Sequence, residues 1–352
     1  MTTAPPLDPA ARQPGSNAIA AWLIACCAMI FAMVVIGGIT RLTESGLSIT
    51  EWRPVTGAIP PMSESAWQAE FERYQQIPQY QQVNRGMTLA EFRSIFWWEY
   101  VHRLWGRLIG IVFAVPLIWF WIRGRIHGRT AHHLGGIFVL GALQGGIGWW
   151  MVASGLTDRV SVSPYRLAVH LVMALAIYAW TLWAALDLWR GSASLRRAGG
   201  GLLAFLVGVF VTITSGAFVA GNRAGMTYNT FPLMDGRIVP EFYVDPAFGS
   251  LARSIFEGIA AVQFNHRVLA MLIAGAAVVL WLSHRRSVRT PTASWALVAV
   301  PFTAMLQIAL GISTLLMVVP IPLAAAHQAG AVLVLTAAIV AAHAIAREAP
   351  LP

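Results

Sequence analysis

Apolar residues run in long blocks along this chain, and polar residues gather between the blocks. Eight blocks are long enough to cross a bilayer as helices, which takes about 20 residues each. They cover residues 17–39, 95–122, 132–152, 166–189, 199–220, 258–283, 292–318 and 322–346. The pattern predicts an all-α polytopic membrane protein. Residues 1–16 are polar and contain prolines, and the apolar run behind them is too long for a signal-peptide core, so it reads as an uncleaved first span.

The arginines between blocks set the expected orientation. Arg123, Arg125 and Arg129 follow the second span, Arg190, Arg196 and Arg197 the fourth, and Arg285, Arg286 and Arg289 the sixth. Short basic loops stay in the cytoplasm, which puts both termini inside a bacterial inner membrane and the remaining loops in the periplasm. The first of those, about 41–94, is long enough to carry structure of its own. In it, Ser65-x-x-Gln68 fits a capping box ahead of Trp67, Phe71 and Tyr74 at helical spacing, as in an interfacial helix. A second box, Thr88-x-x-Glu91, predicts that the second spanning helix starts outside the membrane. The other sizeable periplasmic loop runs from Asn222 to Glu257.

The two halves of the chain resemble each other. Gly37-Gly38 near the end of span one matches Ser215-Gly216 near the end of span five. His102-Arg103 matches His266-Arg267. The run from Leu143 to Gly148 (LQGGIG) matches that from Leu306 to Gly311 (LQIALG), and Ala168-Val169-His170 matches Ala325-Ala326-His327. Four helices repeated in the same orientation predict two duplicated four-helix bundles. The expected divisions are a cytoplasmic tail 1–16, an N-terminal bundle 17–190 with the long loop 41–94, a linker 191–198, a C-terminal bundle 199–346 and a tail 347–352.

Composition agrees with the pattern. The 352 residues are 57% hydrophobic and 11% charged, where a soluble domain carries roughly 25% charge. The net charge of +9 lies in the topology-setting arginines, not in a nucleic-acid patch. Cys26 and Cys27 are adjacent within the first span, a spacing that makes neither a disulfide framework nor a metal site.

The candidate chemistry is in four histidines. His102, His170, His266 and His327 lie near the periplasmic ends of even-numbered spans, two in each half. Facing helices that present two imidazoles at matching depth suit axial ligation of a haem iron. Copper or zinc would want three or four converging ligands. Taken one at a time, each histidine reads as well as a buried residue bonded to a neighbouring helix. Arg103 and Arg267 follow two of them and point elsewhere on the helix, either to haem propionates or to lipid headgroups. Trp97, Trp98 and Trp105 either line a pocket or, for the first two, form an interfacial belt. Glu99 stands one turn before His102, where the other half has Gln263. Only the first half therefore has a proton-handling group, which places chemistry there and electron delivery or support in the second half. The structural alternative is that Glu99 pairs with an arginine and holds helix ends together.

Three stretches carry a family resemblance: FWWEYVHR at residues 96–103, YNTFPLMDG at 228–236 and GGITRLTESGLS at 37–48. The chain resembles the haem A synthases, in the form shared by mitochondria and α-proteobacteria, across nearly its whole length. The resemblance implies oxidation of a ring methyl of haem O to a formyl group, giving haem A for cytochrome oxidase. It implies that His102 and His170, with Arg103, hold the substrate haem. His266 and His327, with Arg267, would hold a haem b cofactor, and Glu99 would be the catalytic acid. Haem O, haem O synthase and an electron-transfer partner are the implied partners, and a homo-oligomer is compatible with it. Some members carry cysteines in the extracytoplasmic loops, and this sequence has none there.

The competing reading is a b-type bis-histidine cytochrome exchanging electrons with a quinone pool. Such a protein should place ligands near both faces, whereas the four histidines lie near one. A transporter should show helices interrupted at mid-membrane, which the sequence does not.

Overall fold

Helical backbone satisfies its own hydrogen bonds, which is why apolar blocks cross a bilayer in this form. The computed structural model describes residues 16–348 and has eleven α-helices among them. These are α1 (Ser16–Leu42), α2 (Glu64–Gln75), α3 (Pro78–Gln82), α4 (Leu89–Ile122), α5 (Gly128–Ala153) and α6 (Pro164–Arg190). The second half has α7 (Gly200–Gly221), α8 (Leu251–Glu257), α9 (Ile259–His284), α10 (Pro291–Leu316) and α11 (Ile321–Glu348). Eight of them, α1, α4, α5, α6, α7, α9, α10 and α11, are long and apolar enough to span a membrane. The expected N-terminal tail and the last residues of the C-terminal tail lie outside the described residues.

The packing order explains why two bundles form. Helices α1, α4, α5 and α6 close a ring, each touching the next, and α7, α9, α10 and α11 close a second ring in the same order. The rings join where α6 meets α7 and where α11 meets α1 and α6. Helix α11 is the most buried span. Its Ala337, Ala338, Ala341, Ala342 and Ala346 face the interior, and such small residues let membrane helices approach closely. Cys26 and Cys27 are buried free thiols of α1.

Helix α4 begins at Leu89, upstream of the apolar block. Thr88 and Glu91 form the reciprocal capping box expected there. The first loop departs from expectation. Ser63, not Ser65, caps α2 by accepting from the Ala66 amide. The helix is not a separate element but docks on α4. Trp67, Phe71 and Tyr74 are buried against Phe92, Phe96 and Tyr100 of α4 and against Leu47. The reason is that the N-terminal turns of α4, which begin upstream of the apolar block, offer an apolar face that α2 covers. Burial of Tyr74 pushes its phenol up to about 12, against the opposing effect of the bond from Asn84 and with smaller upward contributions from Glu44, Glu99 and Tyr80.

Candidate functional site

The loops over each bundle are fastened by the helix that carries a histidine. On α4, Arg103 donates to the carbonyls of Ile49 (2.7 Å) and Glu51 (3.0 Å). Arg107 donates to those of Pro54 and Arg53, and the Tyr100 hydroxyl to that of Ala58. On α9, Arg267 donates to the carbonyls of Tyr228 (2.6 Å) and Thr230 (2.8 Å). The acid or amide one turn earlier completes each clasp. Glu99, only 2% exposed, accepts from the Ser48 hydroxyl (2.7 Å), the Ile49 amide (2.8 Å) and two nitrogens of Arg103 (2.7 and 3.1 Å). Gln263 accepts from Arg267 (2.8 Å) and donates to the carbonyls of Ala224 and Thr227. The YNTFPLMDG stretch is therefore the part of the second loop that Arg267 holds.

These clasps fix the register of the repeat. Ile49 pairs with Tyr228 and Glu51 with Thr230. Glu44 pairs with Arg223, both in the left-handed region at φ 55° and 53°. The common offset is 179 residues, also that of the bond from Arg41 to the Ala220 carbonyl. By this offset Gly37 corresponds to Gly216, one residue away from the match that sequence similarity indicated. Gly38 then corresponds to Ala217, and Ile36 to Ser215.

One continuous cavity of about 1970 Å³ reaches all four histidines. A pocket for a single drug-sized ligand is roughly 300–1,000 Å³, so this space suits two such groups. Each histidine lies across a glycine of a neighbouring helix. A Cβ at Gly37 would meet His102 Nε2 at 3.0 Å, and one at Gly148 would meet His170 Cε1 at 3.0 Å. One at Gly216 would meet His266 Cε1 at 3.0 Å, and one at Gly311 would meet His327 Cε1 at 2.8 Å. Four times over, the neighbouring helix omits a side chain where the imidazole sits.

The donor set fits axial ligation. The His266 and His327 ring centres are 6.3 Å apart with planes at 88°, and two metal–imidazole bonds of about 2 Å each, plus the two half-rings, span a distance of this order. Ser215 Oγ spends its proton on the Thr212 carbonyl (2.7 Å) and lies 2.8 Å from His266 Nδ1. The His266 Nδ1–H must then donate to Ser215, an assignment made from the hydrogen-bond network, and Nε2 keeps its lone pair. His327 Nδ1 is buried without a partner. Gln144 Nε2 lies 2.9 Å from the His170 carbonyl and 3.1 Å from His170 Nδ1, and Gln307 Nε2 donates to the His327 carbonyl (2.9 Å). Among the described residues no three of His, Cys, Asp and Glu converge as a metal cluster.

Arg41, Arg103, Arg107, Arg223 and Arg267 line the loop end of the cavity, opposed by Glu44 and Glu99. Its net charge is positive, which favours an anionic group there. Trp97, Trp98 and Trp105 do not line it. Trp97 packs on Trp67 and Tyr100, and Trp105 donates to the Met29 carbonyl. Trp52, Trp149 and Trp150 line it in their place, because they sit on the first loop and on the α5 end that face inward. Sequence reading missed Ser48, Ser215 and Gln328. Gln328, next to His327, donates to the Val34 carbonyl (3.0 Å) of the other bundle, with its Oε1 seated against Gly38. Repetition of glutamine before both glycine cradles was the signal for Gln144 and Gln307; no repeat marks the other three.

Comparison with known proteins bears on this geometry. The family model described as cytochrome oxidase assembly protein, COX15-CtaA, matches residues 20–339. The heme A synthase of Nitrosospira multiformis is 49% identical over 338 residues, 94% of each chain. That of Paramagnetospirillum magneticum is also 49% identical over 338 residues, 94% of each chain. That of Rhodospirillum centenum is 50% identical over 346 residues, 97% of this chain and 91% of the relative.

Proposed function

The chain belongs to the COX15-CtaA family of cytochrome oxidase assembly proteins, and on that premise we propose a haem A synthase with its substrate in the N-terminal bundle and a resident haem b in the C-terminal one. The enzyme acts on haem O and oxidises a ring methyl to a formyl group. His102 and His170 hold the substrate iron, and His266 and His327 the cofactor iron. The observation that carries this reading is the glycine cradle repeated under all four imidazoles of one cavity.

The residues around the sites have separable tasks. Arg103 and Arg267 draw the loops down over the two bundles, which shields the cavity from water. The same arginines, with Arg41 and Arg107, make the loop end positive toward the porphyrin propionates. A resident haem b supplies one-electron redox chemistry when bound. Glu99 forms part of the cavity wall and is the group that takes up protons released from the methyl carbon. Gln263 cannot do this, so the second site handles electrons only.

The chain sits in the bacterial inner membrane with its basic loops in the cytoplasm and the haem sites toward the periplasm. Haem O synthase supplies the substrate, and a separate redox partner exchanges electrons. The test is expression of the protein with a haem O supply, followed by extraction and identification of its haems. Haem A or a partly oxidised intermediate is expected. Haem B alone, with haem O present in the membrane, would return the b-type cytochrome reading.

A further inference from the structure

The two sites must behave differently if one holds a cofactor and the other turns over a substrate, yet each sets its α4 or α9 imidazole against a glycine of the neighbouring helix. One difference is in what fixes the α4 or α9 imidazole; on the α6 and α11 ligands the order is reversed, with Gln144 Nε2 3.1 Å from His170 Nδ1 and His327 Nδ1 without a partner. In the C-terminal bundle, the α9 ligand His266 is bonded through Nδ1 to Ser215 (2.8 Å), which is itself anchored to the Thr212 carbonyl. In the N-terminal bundle, the 179-residue register puts Ile36 at that place, a side chain with no donor or acceptor. No hydrogen bond reaches the His102 ring among the described residues, and its contact with α1 is the open face of Gly37. Partners bonded to the outer nitrogen of a metal-bound histidine set its tautomer, orientation and basicity.

We propose that Ser215 is the positioning residue that makes the His266 site retentive, and that Ile36 at the equivalent place leaves the His102 site able to release its porphyrin. This rests on the assignment of the resident haem to the C-terminal bundle. With Ser215 the imidazole is held in the ligating tautomer before the iron arrives, so little ordering is left for binding. With Ile36 the ring must be ordered by the iron itself. The bond weakens by that amount and the product can leave. Ser215 also lines an outer apolar groove between α6, α7 and α9, so an alanine there removes the hydroxyl without opening a closed core.

The experiment follows haem loss from the purified protein into an excess of apomyoglobin, with the reduction potential of the retained haem measured in parallel. Ser215→Ala should speed loss of the resident haem about 10–100-fold, the usual effect of removing such a partner, and shift its potential. Ser215→Thr should restore both. Ile36→Ser should slow release of haem from the N-terminal site. Loss rates and potential unchanged in Ser215→Ala would overturn the proposal. So would a Ser215→Thr protein as leaky as Ser215→Ala, since shape and not the hydroxyl would then matter. Failure of the underlying assignment looks different: His266→Ala would keep the wild-type resident haem, whatever Ser215 does.

Discussion

Replacing Gly311 by alanine is a sharp perturbation of the resident site, because the three atoms nearest the added Cβ all belong to His327. Its Cβ would lie 2.8 Å from His327 Cε1. Carbon atoms rest at about 3.5–4.0 Å, so the imidazole has to move by about 0.7 Å or more. Metal–ligand distances tolerate about 0.2 Å, which makes the displacement several times too large for undisturbed ligation. Haem affinity should fall by about 10–100-fold, the range for disturbing the group that orients a metal ligand. The bare chain should not suffer in proportion. Alanine gains about 1 kcal/mol over glycine in helix propensity, against about 1–3 kcal/mol for overpacking. Gly275→Ala is the matched control, a glycine in α9 with nothing within 4 Å of its added Cβ. The assay is bound haem b per protein by absorbance, with the low-spin spectrum recorded, beside the elution profile in detergent. Gly311→Ala should lose haem while eluting as the parent does. Full haem content with an unchanged spectrum in Gly311→Ala would refute the cradle, as would equal loss in Gly275→Ala.

Glu99→Gln makes the first clasp resemble the second. It should fold, keep the resident haem and lose about 10²–10⁴-fold in haem A formed per haem-loaded molecule; near-parental turnover would leave Glu99 a purely structural clasp. Because the Ile49 amide then faces an amide nitrogen, the variant should also lose about 1–3 kcal/mol of loop stability, read as faster proteolysis between residues 43 and 88. The Tyr74 phenol is held protonated in the fold up to about pH 12, above its unfolded value of about 10. The unfolded loop therefore loses that proton first, and loop stability should fall as pH rises from about 10 to 12; a slope as steep in Tyr74→Phe would remove Tyr74 as its cause. A reporter fused after Arg197 should read as cytoplasmic and one near Gln76 as periplasmic; the reverse would invert the placement of the sites.

Much of this was legible in the sequence because membrane spans and repeats are written in local patterns. The eight helices came from apolar block length, the outward extension of α4 from Thr88 and Glu91, and the histidine pairs from duplication. What stayed hidden depends on contacts between distant segments. Ser48 reaches Glu99 only because Arg103 folds the first loop back, and nothing about an isolated serine indicates that. Ser215 looked like half of a Ser-Gly pair matched to Gly37-Gly38; the one-residue shift emerged from backbone φ and from which carbonyls the arginines hold. Trp97, open in the sequence between a pocket wall and an interfacial belt, packs on α2, whose docking on α4 is a tertiary event.

The division of labour between the bundles is tested most directly by identifying the haems that single-site variants carry. His102→Ala and His266→Ala proteins would be purified from cells that make haem O, and their haems extracted and identified by chromatography and mass. His266→Ala should lack haem B and still carry haem O, and His102→Ala should carry haem B alone and form no haem A. Haem B retained in His266→Ala and lost in His102→Ala would contradict the assignment and exchange the roles of the two halves.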